Sequence, residues 1–254
     1  MENRPCGTPK IFVIICPMAS ELKPGWWIDV GMVKYGAGCE LQKLFVEGRK
    51  AGRVPDVLLL CAHPPVITLG RNGDAGNLRA SERVLKQMGI EYRLTDRGGD
   101  ITYHGPGQIV GYPIMDLTEH RRDVRWYVAH LEEVMIRTAA DFGVEAHRVD
   151  GMHGVWVDTE RGSEKLGALG VHVSRWVTSH GFAFNVATDL RHFDLIVPCG
   201  LVGKQATSLE RVLGRVVNVE KVKGSVVKYF GDVFGMEMKA AKVESALDAR
   251  TVRG

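Results

Sequence analysis

Cysteine is scarce and poorly arranged for structural use: five residues (Cys6, Cys16, Cys39, Cys61, Cys199), an odd number with wide gaps and no CxxC pair. That argues against a disulfide framework and a structural zinc site, and for a reducing compartment. Long hydrophobic runs are also missing. The apolar stretch IFVIIC at 11–16 stops at Pro17, far short of the ~20 residues a membrane-spanning helix needs. The preceding MENRPCGTPK is only weakly basic and no clear cleavage site follows, so no secretory signal is expected and a cytoplasmic location is. Charge of one sign does not dominate either. A formal net charge of +3 and a pI near 8.6 give no strongly basic stripe, which excludes a dedicated nucleic-acid binder and leaves room for an acidic protein partner. No GxxxxGK[ST] loop is present, no GxGxxG follows a strand, and the nine histidines show no metal-ligand spacing. Neither metal, nucleotide nor other cofactor is therefore expected.

What is present suits a globular enzyme. At 254 residues and 45% hydrophobic, the chain can bury a substantial core and is long, but not too long, for one domain. Residues 1–25 are expected to form a loose extension ending near Pro24-Gly25, residues 26–235 the globular domain, and 236–254 a charged tail that frays. Helices are predicted over 38–50, over 81–88 with Ser81 as N-cap, and over 124–142 with Asp123 capping the start and Gly143 the end. Two further helices are predicted at 208–213 and at 219–230, the second capped by Asn218. Strands are expected at 57–61, 66–69, 91–95, 108–114, 154–157, 166–173 and 178–186, the last three as a meander. Strands and helices mixed without a strict βαβ rhythm indicate a single α/β (α+β) domain of mixed β-sheets flanked by helices.

One segment is unlike core. RGGDITYHGPG, from Arg97 to Gly107, packs four glycines and a proline among Arg97, Asp100, Tyr103 and His104. Such glycine density marks backbone that turns sharply or lies close to something else. Two other segments stand out: Lys165-Leu166-Gly167-Ala168-Leu169-Gly170, and Pro198-Cys199-Gly200 shortly after His180-Gly181-Phe182-Ala183-Phe184-Asn185. With His63-Pro64-Pro65, Thr68, Gly70-Arg71 and Gln108, these occur in the order of one pattern. The chain resembles the lipoyl(octanoyl) transferases over roughly residues 26–235, and the joint occurrence is far more specific than any single motif. Departures are small: Cys61 stands where that family often has glutamate, and Gly167 where alanine is common.

The resemblance implies the catalytic-domain fold of biotin and lipoate protein ligases. It also implies octanoyl-acyl carrier protein as donor. Lipoyl domains of 2-oxoacid dehydrogenase complexes, or the glycine cleavage H protein, would be acceptors. The chemistry is consistent with these residue types. A thiolate attacks a thioester with little change in free energy, and amide formation then drives transfer forward. A free thiol with pKa near ~8.5 is mostly protonated at neutral pH, and a nearby ammonium favours the anion. Cys199 is the candidate nucleophile and Lys165 its acid/base partner. By resemblance, Arg97, Gly98, Gly99, Asp100, Ile101, Thr102, Tyr103 and His104 would line the substrate site, together with Ala168, Leu169, Gly170, Gly181, Phe182 and Ala183. Burying each methylene of an acyl chain contributes about 0.8 kcal/mol, so pocket depth could select length by ~4-fold per carbon.

Plainer roles stand beside these. Arg97 and Asp100 could pair to stiffen the loop, His104 could orient backbone, and His180 could be a satisfied core histidine. His63 reads as turn chemistry and Cys61 as a buried strand residue, while Cys6, Cys16 and Cys39 receive no role. Arg71 could touch a substrate or join an exposed ion pair. Arg121, Arg122 and Arg125 could dock an acidic carrier or form a solvated face. Two rival functions stand beside this reading: an ATP-dependent lipoate or biotin protein ligase, which shares the implied fold, and a non-catalytic acyl-binding protein that has kept the pocket.

Overall fold

The computed structural model describes residues 22–197 and 204–248. Cys6, Cys16 and the whole Pro198-Cys199-Gly200 motif lie outside the described residues. The first half of the chain runs β1 (Lys23–Met32), α1 (Tyr35–Lys50), β2 (Asp56–Ala62), β3 (Val66–Leu69), α2 (Glu82–Gln87), β4 (Glu91–Leu94), β5 (Ile101–His104) and β6 (Gln108–Ile114). It continues through α3 (Val124–Asp141), β7 (His147–Val149), β8 (Met152–Thr159), β9 (Gly162–Ser174) and β10 (Val177–Asn185). After a 3-10 turn at Leu190–Leu195 come α4 (Leu209–Leu213), α5 (Val219–Phe234), β11 (Met236–Ala240) and α6 (Val243–Asp248).

Eight strands form a mixed sheet in the order β11-β1-β2-β6-β10-β9-β8-β7, and three form a small sheet, β4-β3-β5. The pairs β11–β1, β1–β2 and β3–β4 are parallel, and the remaining neighbours are antiparallel. In the large sheet β2 reads as an unbroken apolar run because both faces are covered. Leu58 and Leu60 pack toward α3 and α5, whereas Val57, Leu59 and Cys61 pack toward α1. Each such side chain contributes roughly 1.5–3 kcal/mol on burial. Alternation persists on β10, where Phe182 and Phe184 join the α3 side and Ala183 the α1 side. That leaves small residues facing the second sheet.

The predicted N-caps are formed: Ser81, Asp123 and Asn218 each accept a backbone N–H of the first turn that follows, and Ser208, expected as the first helical residue, caps α4 in the same way. Helix α3 begins at Val124 as expected, but Val124 itself is exposed and the buried stripe starts at Tyr127.

Three expectations need correction. The N-terminal segment becomes β1 at Lys23, with Pro24 and Gly25 inside the strand. Pairing with β2 starts only at Gly25, so the missing N–H of Pro24 removes no bond on that side. The charged segment after 235 does not fray where it is described. Strand β11 pairs with β1 and buries Met236, and α6 inserts Ala246 into the α1-side core. The inward methionines alternate with Glu237 and Lys239, a period of two hidden by the charge. Finally, the glycine-rich loop contains β5, held between turns that its glycines make.

Candidate active site

The loop from Arg97 to Asp100 is fixed by bonds to β3 and the Ala75–Asn77 turn. Arg97 is buried, and its guanidinium donates to Thr68 Oγ1 (2.8 and 3.2 Å), to Thr68 O (2.8 Å) and to Gly98 O (3.1 Å). Asp100 accepts from Asn77 Nδ2 at 2.5 Å and from the Asp74 amide at 3.0 Å. The stiffening role read for Arg97 and Asp100 is thus carried by separate bonds. Close approach sets Gly70: a Cβ there would lie 2.2 Å from Gly99 O, so any larger residue would push the loop away.

Between the small sheet and the large one lies a narrow slot of about 40 Å³. Thr102 and His104 of β5 form one wall, and Val110, Tyr112, Gly181 and Ala183 the other. Arg97, Gly99, Asp100, Ile101, Ala168, Leu169, Gly170 and Phe182 complete it, with Tyr35 from α1. Twelve of the fourteen substrate residues expected from the motifs therefore meet here. The alternation of β5 removes Tyr103, which turns to the opposite face, bonds His192 Nδ1 at 2.8 Å and packs on Phe193. Gly98 faces an outer groove instead.

One end of the slot is a cluster of rings. His104 stacks on Tyr35 at 5.9 Å, and His63 meets both rings edge-on. His104 Nδ1 donates to Gln108 Oε1 (2.8 Å), and Gln108 Nε2 donates to Asn185 Oδ1 (2.9 Å). This chain accounts for Gln108 and Asn185 in their motifs. Burial first, and the neighbouring His63 and Arg97 next, push the His104 pKa down to about 3. His63 is held below the usual histidine range by burial and that of Tyr35 is raised to about 12. The rings at this end are therefore neutral near pH 7.

His63 is no turn residue. It is fully buried, donates through Nδ1 to Val33 O at 2.7 Å and accepts from Tyr112 Oη at 2.7 Å. His180 is a satisfied core histidine on its Nε2 side, 2.9 Å from Asp96 Oδ1, and also borders the slot. Cys61 is buried beside His63 at 3.7 Å. Arg71 reaches His172 Nδ1 at 3.0 Å and Arg121 pairs with Asp123 at 3.4 Å, both on the surface.

Thr102, Ala168 and Ala183 are shared between the slot and a second, small chamber of about 20 Å³, which Lys165, Trp156, Gln108 and Asn185 line. Lys165 sits on β9 with its ammonium 4.8 Å from the centre of the Trp156 ring. Its amide donates to Gln205 O at 2.8 Å and its carbonyl accepts from the Thr207 amide at 2.9 Å. The segment 205–207 is thereby sewn to the strand bearing the lysine. Lys165 also borders the outer groove with Asn72, Gly98, Met152 and His153.

A family model, the lipoyl protein ligase A/B catalytic domain, matches residues 34–231. The chain belongs to that family. Within the lipoyl protein ligase A/B family, it is 49% identical over 222 residues to an octanoyltransferase of Acidobacterium capsulatum, covering 83% of this chain and 90% of the relative. It is also 49% identical over 210 residues to an octanoyltransferase of Solibacter usitatus, covering 83% and 93%. Among solved structures it is similar to the bipartite lipoate protein ligase of Thermoplasma acidophilum, with a TM-score of 0.70 at 13% identity over 90% of this chain and 93% of that one. A lipoate-protein ligase A bound with ATP gives 0.66 at 12% identity, covering 91% and 95%. At such identities the likeness is one of fold, and it agrees with the mixed α/β architecture expected from the sequence.

For this family member, sequence reasoning did not place Tyr35, Tyr112 and Trp156 in the site. Gln108 and Asn185 lay inside quoted motifs without an assigned role. The three aromatics carried no local signal: each occupies an ordinary core position of its element, and only the pairing of distant strands brings it to the slot.

Proposed function

We propose that this chain is an acyltransferase that moves an octanoyl group from a carrier-protein thioester to a lysine of a lipoyl domain, through a thioester on Cys199. Its similarity to octanoyltransferases at 49% identity supports the overall reaction. The observation that carries the mechanism is the slot itself, walled by small residues and neutral rings, which shares three wall residues with the chamber of Lys165.

In the first half-reaction the Cys199 thiolate attacks the donor carbonyl. A C–S bond forms to Cys199 and the carrier's C–S bond breaks. The departing carrier thiolate takes a proton, for which the Lys165 ammonium is the donor. In the second half-reaction the acceptor's neutral lysine amine attacks the enzyme thioester. A C–N bond forms, the Cys199 C–S bond breaks, and Lys165, now neutral, accepts the proton of the attacking amine. The outer groove beside Lys165 offers the acceptor an approach separate from the slot that holds the chain. The proposed acceptor is a lipoyl domain and the proposed donor an octanoyl-carrier protein.

Intact-mass measurement after incubation with octanoyl-carrier protein tests the nucleophile. A stable adduct of one octanoyl group is expected, lost in Cys199→Ser. An unchanged thioester adduct in that variant would sink the assignment. Lys165→Ala should slow transfer severely while the thermal midpoint stays near that of the parent. Release of pyrophosphate dependent on ATP would instead identify a ligase.

A further inference from the structure

We infer that Glu132 is a positioning residue for Lys165, acting through the backbone of Gly154. The inference rests on the functional reading of Lys165 above, and it concerns a residue outside every motif of the sequence. Glu132 lies on the inner face of α3 and is 6% exposed, unusual for a carboxylate. Its Oε1 accepts the Gly154 amide at 3.0 Å, and its Oε2 accepts from Arg148 Nε at 3.1 Å. The first of these bonds reaches from helix to strand and decides where Gly154 sits.

Gly154 matters because Lys165 runs beside it. Its φ is +119°, a conformation that L side chains avoid. A Cβ there would fall 2.6 Å from Gly167 O and 3.3 Å from Lys165 Cε. The aliphatic stem of the lysine therefore passes over bare backbone. Across the strand pair, Trp156 stands directly opposite Lys165, and the register slips by one residue at this point, with Val155 opposite Gly167. Leu166 is thus the extra residue of a bulge, a device that re-aims a neighbouring side chain. Lys165 is held from one side by the Trp156 face and from the other by Gly154, and Glu132 is the brace behind Gly154. Without the brace the Gly154 segment can relax toward solvent, and the ammonium moves with it. Misplacement of a reacting group by about 1 Å can cost on the order of 10²-fold in rate.

The hydrogen bond, not the charge, is what the geometry assigns to Glu132, and that separates its variants. Glu132→Gln keeps an acceptor for Gly154 at Oε1 and loses only the bond from Arg148, whose guanidinium retains Ala129 O and Glu133 Oε2. Glu132→Asp keeps the charge and is one methylene too short to reach Gly154. Glu132→Ala keeps neither. Steady-state transfer from octanoyl-carrier protein to a lipoyl domain should show kcat lowered roughly 10- to 100-fold in the Ala and Asp variants, with KM unchanged for both substrates. The Gln variant should stay near wild type. Val134→Ala, a core truncation on the same helix, supplies the control for lost stability and should retain kcat. An Asp variant that works while the Gln variant fails would overturn the inference, as would an Ala variant no slower than the Val134 control.

A second measurement holds whatever the enzyme turns over. Labelling of the folded full-length protein by trinitrobenzenesulfonate, followed by peptide mass mapping, reports the reactivity of Lys165 against the other lysines. That reactivity should change in Glu132→Ala and Glu132→Asp and not in Glu132→Gln. If wild type forms no octanoyl adduct and transfers nothing, the functional reading fails, and labelling alone decides the positioning role. Unchanged Lys165 labelling in the Ala and Asp variants ends it.

Discussion

His104 shows how one residue couples the slot to stability. Its ring is buried, neutral and fixed by Gln108, with a pKa near 3 against an ordinary value of 6.5. The unfolded chain therefore binds a proton below pH 6.5 that the folded chain refuses. Stability is complete above that value and falls as the pH drops toward the folded pKa. At pH 5 this single group costs about 2 kcal/mol, and His63 and His180, also depressed by burial, act in the same direction. Urea denaturation at pH 7.5 and pH 5 should show that loss, and His104→Gln should lessen it. A variant with the same pH dependence as the parent would mean that the ring becomes charged without unfolding the site. Arg97 makes a different point at this scale. Held by Thr68 and Gly98, it keeps the loop shut over the slot, so Thr68→Val should loosen the loop before it disturbs either sheet.

At the scale of elements, the motifs were readable because each serves one strand or turn. The small-residue stretches 167–170 and 181–183 face each other across β9 and β10 in register, Gly170 opposite Gly181 and Ala168 opposite Ala183, as a slot wall requires. What could not be read was long-range. Tyr35 and Tyr112 belong to α1 and β6, and nothing local distinguishes them from core aromatics until the fold sets His63 between them and β5 stacks His104 on Tyr35. The strand inside the glycine-rich loop was missed for a related reason: ITYH alternates over only four residues, and the glycines on either side dominate the local pattern. Ala183 lies where slot and chamber share walls, and this gives an element-scale prediction. Ala183→Leu should obstruct the passage of a chain, lowering octanoyl transfer while sparing shorter acyl groups, by ~4-fold for each methylene the passage no longer admits. Competition between carrier thioesters of four, six and eight carbons measures it. An unchanged preference would place the chain elsewhere.

At the scale of the whole molecule, the large sheet is closed at its parallel end by the last segment of the chain. β1 is bonded on one side to β2, whose residues wall the core of both faces, and on the other to β11, which follows directly from α5. The C-terminal segment therefore ties the helix layer to the sheet edge. Among the described residues no helix is long and apolar enough to cross a membrane, and the apolar face of α5 is spent on this packing: Val222, Val226, Phe230 and Phe234 all lie in the core. Deleting 236–254 should strip β1 of one neighbour and expose Met236 and Ala246, now 3% and 1% exposed. Burial of a methionine side chain alone contributes ~1.5–3 kcal/mol, and the lost strand pairing adds to it. The truncated protein should lose at least about 3 kcal/mol in urea denaturation, with octanoyl transfer retained at low temperature because neither β11 nor α6 lines the slot. A truncation without effect on the midpoint would restore the fraying tail. A truncation that abolished transfer in a folded protein would show that the sheet edge reaches the site through β1 and β2.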